Sequence, residues 1–235
     1  MKPTTPIQYS SNSFEWKTPP YLNKGHGWIS RKVTKWTGLS LCIFLLISTT
    51  VFGSIPDFLE WKWGLQLAEF RQLEIEIAEE WPIWKRATAV RLGQRAQELA
   101  NAGSLILVFD NELGLVKTHW ASKPIERDAN GNKGMQLFKE LKTKFTNRYG
   151  TPQETHEEAS VKLQGFIGDL YQCLQEKTCG PWESIWETPE GGVLVLELVG
   201  LDESVGFVQM THQGPNLGDA LQQAHPGLHL KEQEI

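Results

Sequence analysis

The sequence predicts an α+β protein: one N-terminal transmembrane helix, juxtamembrane helices, then an antiparallel sheet of about five strands with helices packed on one face. Three observations support this fold class. An uncharged apolar run occupies residues 37–56, apolar residues then recur every three or four positions, and the last third alternates apolar runs with tight turns. These patterns are typical of a membrane span, amphipathic helices and antiparallel strands, respectively.

Residues 1–36 are predicted to form a disordered cytoplasmic tail. Pro3, Pro6, Pro19 and Pro20 stand among Ser, Thr, Asn and Gly residues, with no sustained hydrophobic period. A segment of this composition does not bury enough apolar surface to offset the entropy lost on folding.

Residues 37–56 are predicted to cross the lipid bilayer as one uncleaved helix. About 20 residues at ~1.5 Å each span a hydrocarbon core of about 30 Å. Trp28 and Trp36 precede the run and Trp61 and Trp63 follow it, as expected of rings that prefer the membrane interface. The alternative is a signal peptide cut before Ser54, but roughly 35 residues precede the apolar run, whereas removable signals total about 15–30 residues.

The basic residues predict the orientation of this helix. Only Lys62 and Arg71 fall in the stretch after the span, whereas the segment before it is rich in positive charge: Lys17, Lys24, Arg31, Lys32 and Lys35. By the positive-inside rule, the N-terminus stays in the cytoplasm. We therefore expect a single-pass protein of the cell inner membrane with a periplasmic or extracellular C-terminal domain.

Residues 57–103 are predicted to form two juxtamembrane helices, broken at Pro82 and ending before Gly103. One apolar stripe at helical spacing supports the first helix: Leu59, Trp63, Leu67, Phe70, Leu73, Ile77, Trp81 and Trp84. The stripe from Trp63 to Trp84 either packs on the chain's own domain, which we favour, or forms a surface for a protein partner or a homodimer.

Residues 104–215 are predicted to form the extracytoplasmic α+β domain. A hairpin joins 105–109 to 113–120 through Asp110-Asn111, and apolar spacing predicts a helix over 137–149. A second helix is predicted to begin at a capping box of Thr155 and Glu158 and to run to Leu174. Three strands follow at 182–187, 193–199 and 205–212, and the C-terminal tail 216–235 starts with a short helix at 216–224.

Cys173 and Cys179 are the predicted disulfide. In an oxidising compartment their bond would tie the end of a helix to the strand that begins at Trp182. Cα atoms less than about 7 Å apart are required. A redox site more typically has Cys-x-x-Cys, and a zinc site needs two further ligands.

Two patterns resemble metal sites and fail on inspection. Asp128, Asn130 and Asn132 alternate like the first ligands of a calcium loop, but Lys133 and Lys139 occupy the positions of its glycine and glutamate. His212, His225 and His229 lie near the C-terminus, where Pro226 and Gly227 prevent the last two from sharing a helical face. We therefore predict no metal and no cofactor.

The sequence favours binding over catalysis. A net charge of −5 and a pI near 5.7 provide no basic face for nucleic acid. No phosphate loop, nucleophile elbow or zinc-protease motif occurs, and the acid pair Glu183 and Glu187 is compatible with a strand face in water. We expect a non-enzymatic module that binds a protein partner or supports assembly of an envelope complex; the alternatives are a membrane-tethered ligand-binding sensor or transport accessory protein and, third, an extracytoplasmic hydrolase.

Overall fold

The computed structural model describes residues 61–157 and 170–224, which belong to one compact unit. The predicted tail, the predicted membrane helix at 37–56, Trp28 and Trp36 lie outside these residues. Within them, no helix has the length and apolar character that a membrane crossing requires.

The described chain is an α+β domain built on one antiparallel sheet, which confirms the predicted class. The sheet has eight strands rather than about five, in the order β1-β2-β3-β4-β8-β7-β6-β5. The strands are β1 (Ile77–Trp84), β2 (Ala87–Leu92), β3 (Ser104–Asp110), β4 (Gly114–Ala121), β5 (Glu154–His156), β6 (Glu183–Glu187), β7 (Val193–Asp202) and β8 (Val205–Gln213). The helices are α1 (Leu67–Arg71), α2 (Gln94–Leu99), α3 (Asn132–Tyr149), α4 (Leu170–Gln175) and α5 (Leu217–Ala224).

The predicted juxtamembrane helices are wrong over most of 57–103, where the structure has the β1–β2 hairpin and only two short helices. Half-buried and exposed residues mostly alternate within β1, which is the period of a strand, although the apolar residues of the same stretch also fit a helical spacing. Pro82 is tolerated because β1 is the outer strand of the sheet, where an exposed proline removes no ladder hydrogen bond. The proline therefore marks a sheet edge and not a helix break.

The predicted capping box at Thr155 is also wrong. Thr155 lies in β5 and pairs with Ser184 of β6, so it begins no helix. Of the residues predicted for this helix, 158–169 lie outside the described chain, and 170–174 lie in α4. The local sequence at Thr155 fits a helix cap, but pairing with the distant strand β6 places this residue in the sheet instead.

The hairpin β3–β4, helix α3, strands β6 to β8 and helix α5 confirm the remaining predicted elements within two residues at most ends. Helix α3 begins five residues before its predicted start. The carboxylate of Asp128 extends it by accepting hydrogen bonds from the amides of Lys133 (3.0 Å) and Gly134 (3.1 Å). Asp128 thus caps a helix instead of opening a calcium loop.

The sheet carries helices on both faces, which corrects the prediction of one face. Helices α3 and α4 pack on the main core with Phe138, Phe145 and Tyr171. Helix α5 packs on the other side, where Leu217 and Ala220 join a smaller cluster with Val108 and Val116. Successive side chains of β3 point to opposite faces, so Leu107 and Phe109 join the main core while Val108 joins the smaller cluster.

Candidate functional site: a buried histidine beneath an aromatic cavity

Strands β4 and β8 bring two histidines to neighbouring positions on opposite faces of the sheet. Thr118 pairs with His212, and the next pair along the ladder is His119 with Thr211. The same two residue types therefore face each other twice, with the strands exchanged. Because successive side chains of a strand point to opposite faces, His212 faces the main core and His119 faces the other side.

His119 is hydrogen-bonded across the ladder. Its Nδ1 lies 3.2 Å from Oγ1 of Thr211. Burial, and secondarily the nearby charge of Lys117, lower the pKa of His119 to about 3. His119 is therefore a neutral, partnered histidine at pH 7, the ordinary condition of a histidine inside a protein.

His212 has no such partner. The residue is 3% exposed, and neither ring nitrogen has a hydrogen-bond partner in the described structure; the Oγ1 of Thr118 opposite is also unpartnered. Burial lowers the pKa of His212 to about 4, with Glu190 raising it and Arg148 lowering it. A neutral imidazole with an unused donor and an unused acceptor costs roughly 1–3 kcal/mol per unsatisfied group.

An aromatic cavity lies over this ring, and we call it the His212 pocket. It has a volume of about 550 Å³ and is lined by Trp61, Lys62, Trp63, Arg148, Tyr149, Glu190, His212 and Pro215. Trp63 packs edge-on against His212, with ring centroids 4.7 Å apart and planes at 81°. Tyr149 lies on another side, 6.4 Å from the His212 ring. The unpartnered histidine is thus part of the wall of a cavity.

Two glycines hold the tryptophans at the cavity. The amide of Gly64 donates to the carbonyl of Leu115 (3.1 Å), and the amide of Leu115 donates to the carbonyl of Leu65 (2.8 Å). A Cβ at Gly114 would lie 2.2 Å from the carbonyl oxygen of Gly64, so this contact requires glycine. The segment that carries Trp61 and Trp63 is therefore fixed against the start of β4.

The opposite wall comes from the end of α3 and the turn between β6 and β7. The guanidinium of Arg148 lies 5.4 Å from the centre of the Tyr149 ring, in cation–π range. Glu190 lies on that turn, and Lys62 lies beside the tryptophans; both are exposed. The rim thus carries two cations and one carboxylate around an apolar interior, an arrangement that suits binding of an amphipathic ligand.

The stripe from Trp63 to Trp84 does not form one continuous surface, and most of its members pack on the chain's own domain, the alternative that the sequence favoured. Phe70 is fully buried in the main core, Leu73 is 51% exposed and Leu67 is half-buried. Ile77 packs against the main core and Trp84 against the smaller cluster, while Trp81 is half-buried in β1. Only Trp63 of this set lines the His212 pocket, because the stretch is divided among a turn, the short helix α1 and the strand β1 and does not form one helix.

Trp61 and Trp63, predicted for the membrane interface, pack against the domain core. The ring of Trp61 lies 5.1 Å from that of Phe70. Their contact with lipid stays a prediction, as does that of Trp28 and Trp36, which lie outside the described residues.

Cys173 and Cys179 are joined in the structure, with Cα atoms 5.5 Å apart, within the range that a disulfide requires. Both are buried in the main core. The pair links the end of α4 to the loop that leads into β6, as the sequence pattern predicts.

The acid pair Glu183 and Glu187 is not the carboxylate pair that the sheet assembles. Glu183 is directly opposite Glu197 of β7, and Glu187 is exposed. Burial, followed by the charge of Glu197, raises the pKa of Glu183. The side chain of Glu197 in turn accepts a hydrogen bond of 2.6 Å from the side-chain Nε2 of Gln209. Among the described residues, no group of three acidic, histidine or cysteine side chains is placed to hold a metal.

A second cavity of about 470 Å³ lies along α3, between Met135 and Asn147, and reaches Trp182 and Glu157. Glu157 is the last residue described before the gap at 158–169.

Comparison with known proteins adds no family to these observations: no family model, no curated protein and no solved structure matches the chain.

Proposed function

We propose that this chain is a non-enzymatic single-pass membrane protein whose α+β module, outside the cytoplasm, binds a protein partner or supports assembly of an envelope complex. The recognition site is the His212 pocket. One observation carries the proposal: a buried histidine, whose two ring nitrogens have no hydrogen-bond partner among the described residues, lies beneath a cavity of about 550 Å³.

The residue types of the pocket favour a protein partner. Trp61, Trp63, Tyr149 and Arg148 line it, and Trp, Tyr and Arg are the residues enriched among those that contribute most to binding energy at protein interfaces. An anchoring side chain of the partner would enter between them, where contacts are shielded from water.

The surroundings of His212 favour binding over proton transfer. A general base is held by a hydrogen bond from a third group that fixes its tautomer and orientation. Neither nitrogen of His212 has such a partner in the described structure. The ring packs instead against Trp63 and Tyr149, which suits recognition of a polar group among apolar contacts.

The cavity volume favours a second candidate, a ligand-binding sensor or transport accessory protein. Cavities that bind small molecules typically have volumes of ~300–1,000 Å³, and this one lies in that range. The segment with Trp61 and Trp63 follows the predicted membrane helix 37–56 along the chain, and a signal would pass along this segment.

Site-specific photocrosslinking in native membranes tests the first proposal. A photoreactive amino acid at Lys62, on the rim, is compared with the same residue at Leu99, which is 80% exposed and does not line the pocket. We expect position 62 alone to yield a defined heterologous adduct, which mass spectrometry identifies and which Trp63→Ala removes.

Equal adducts from both positions, or adducts of the chain only with itself, would contradict a heterologous partner at this pocket. Native mass spectrometry of the purified full chain separates the second candidate. A co-purifying small molecule that is lost in Trp63→Ala would favour the sensor.

A further inference from the structure

Resting on the proposed recognition role, we propose that the His212 pocket selects an acidic aromatic segment of its protein partner. An aromatic side chain enters among Trp61, Trp63 and Tyr149, and a neighbouring carboxylate of the same segment lies at Lys62 and Arg148. The partner is thus defined by an apolar ring with a negative charge beside it.

The charge of the rim selects the sign of the ligand. Lys62 and Arg148 provide two positive charges and Glu190 provides one negative charge, so the rim is net positive at pH 7. His212 adds no charge, because burial holds its pKa near 4. A carboxylate is therefore attracted to the rim, while a cationic segment is repelled by two side chains and attracted by one.

The aromatic walls do not serve as a cage for a cation. Such a cage needs open ring faces, and the guanidinium of Arg148 is already placed over the ring of Tyr149 at 5.4 Å. An incoming ammonium group would compete with it. The edge of a neutral aromatic ring can instead pack against Trp63, which already makes an edge-on contact with His212.

Unpartnered polar atoms beneath the rim give the segment hydrogen-bonding positions. The indole N–H of Trp61 is buried without a partner in the described structure, as are both nitrogens of His212. A backbone carbonyl or a phenolic hydroxyl of the partner that reaches either group replaces a costly unsatisfied donor with a hydrogen bond. An aromatic anchor followed by peptide backbone supplies both kinds of contact.

Glu190 fixes where the carboxylate of the segment lies. It belongs to the turn between β6 and β7 and contributes to the electrostatic environment of His212, as Arg148 at the end of α3 does. Repulsion from Glu190 directs an incoming carboxylate toward Lys62 and Arg148. Removal of the Glu190 charge therefore strengthens binding of the acidic segment, the opposite of what loss of a direct contact would do.

Selection from a random peptide library tests the proposal with the full chain in lipid nanodiscs. Peptides retained by the wild-type chain are counter-selected on Trp63→Ala and on Gly214→Ala. A Cβ at Gly214 would lie 2.6 Å from the Trp63 ring, so this second variant displaces the ring without removing it. We expect the peptides that depend on Trp63 to contain Phe, Tyr or Trp with Asp or Glu within two positions.

The outcomes separate the two proposals. If no retained peptide depends on Trp63, the pocket is not a recognition site for peptide segments, and both proposals fall. If peptides depend on Trp63 but are basic, or contain no aromatic residue, the pocket remains a recognition site and the acidic aromatic specificity is overturned.

Charge variants measure the specificity on one selected peptide by fluorescence anisotropy. We expect Lys62→Glu to weaken binding about threefold or more and Glu190→Gln to strengthen it about two- to threefold, since single exposed charges contribute modestly to affinity. Lys123→Glu, an exposed lysine outside the pocket, is the matched control and should leave the affinity unchanged. Weaker binding in Glu190→Gln would overturn the proposed position of the carboxylate.

Discussion

Each face of the sheet at β4 and β8 carries one histidine–threonine pair, but only one of the two pairs is joined by a hydrogen bond in the described structure. On one face His119 and Thr211 are joined by a hydrogen bond of 3.2 Å. On the other face Thr118 and His212 are directly opposite each other, yet their side-chain polar atoms have no partner in the described structure. The strand register alone therefore does not give a buried histidine a hydrogen-bond partner. The residues packed above the sheet determine whether it has one, and for His212 these are Trp63 and Tyr149, which make ring contacts.

The largest expected effect comes from comparing two glycine substitutions on the face of the sheet that carries His212. Gly206 lies against the packed main core, whereas Gly214 lies beside Trp63 of the His212 pocket. A Cβ at Gly206 would lie 2.1 Å from the ring of Tyr171, which is fully buried and donates to Asp128 (2.9 Å). We expect Gly206→Ala to reduce the free energy of unfolding by about 3 kcal/mol, because a packed core yields little. Gly214→Ala instead pushes Trp63 toward the cavity and should cost under ~1 kcal/mol.

Urea unfolding of the full chain in detergent micelles, followed by tryptophan fluorescence, measures both glycine variants. Equal losses would mean that the His212 pocket is as tightly packed as the core beneath Gly206.

The next effect is a loss of stability in acid that both faces share. The pKa values of His119 (about 3) and His212 (about 4) lie below the ordinary value of 6.5 in the folded protein, so the unfolded chain binds more protons below that value. Their contribution to stability is complete above pH 6.5 and is lost as pH falls through the folded pKa values.

We expect the urea midpoint of unfolding to fall from pH 7 to pH 4 and to fall less steeply in His212→Leu. A steeper fall in that variant would show that His212 is not neutral when folded.

Replacing each histidine with leucine sharpens the comparison between the faces. We expect His119→Leu to cost about 1–2 kcal/mol of stability, since it removes a hydrogen bond and leaves Thr211 without it. His212→Leu should be nearly neutral or stabilising, because it removes a buried polar ring that has no hydrogen-bond partner among the described residues and approximately keeps the side-chain volume. The same urea series measures both, and a large loss in His212→Leu would reveal a hydrogen bond that the described residues do not supply.

The smallest expected effect is the coupling within each pair. A double-mutant cycle of His119→Leu with Thr211→Val should give an interaction energy of about 0.5–1.5 kcal/mol, since the two side chains share a bond. The cycle of His212→Leu with Thr118→Val should give a value near zero. Coupling of similar size in both cycles would remove the distinction between the faces.

Much of the fold can be predicted from the sequence, because the local residue pattern and the tertiary environment favour the same secondary structure. The hairpin β3–β4 and the strands β6 to β8 combine apolar runs with turn residues, and α3 has a continuous helical spacing. The β1–β2 hairpin cannot be predicted from the sequence in this way. The apolar residues of β1 fit a helical stripe as well as a strand, and the pairing of β1 with β2 and of β2 with β3 stabilises the strand conformation.

The site was only partly predictable. The sequence indicated Trp61 and Trp63 as membrane-interface residues, Trp63 also as part of the apolar stripe, and His212 as part of a weak metal cluster. It did not indicate that the three residues line one pocket. Arg148, Tyr149 and Glu190 carry no sequence signal that marks them as neighbours of these residues. They meet because α3 and the turn between β6 and β7 end on the same side of the sheet as the segment around Gly64.

The sequence by itself determined the α+β class, the antiparallel strand pairs of the last third and the short loop between Cys173 and Cys179. These features depend on contacts between residues that are close along the chain. The tertiary structure alone decided the number of strands, the helices on both faces and the His212 pocket. Sheet pairing and cavity formation depend on which distant segments meet. That choice is made by packing across the whole domain, since a local period fits a strand or a helix equally well until a neighbour buries one face.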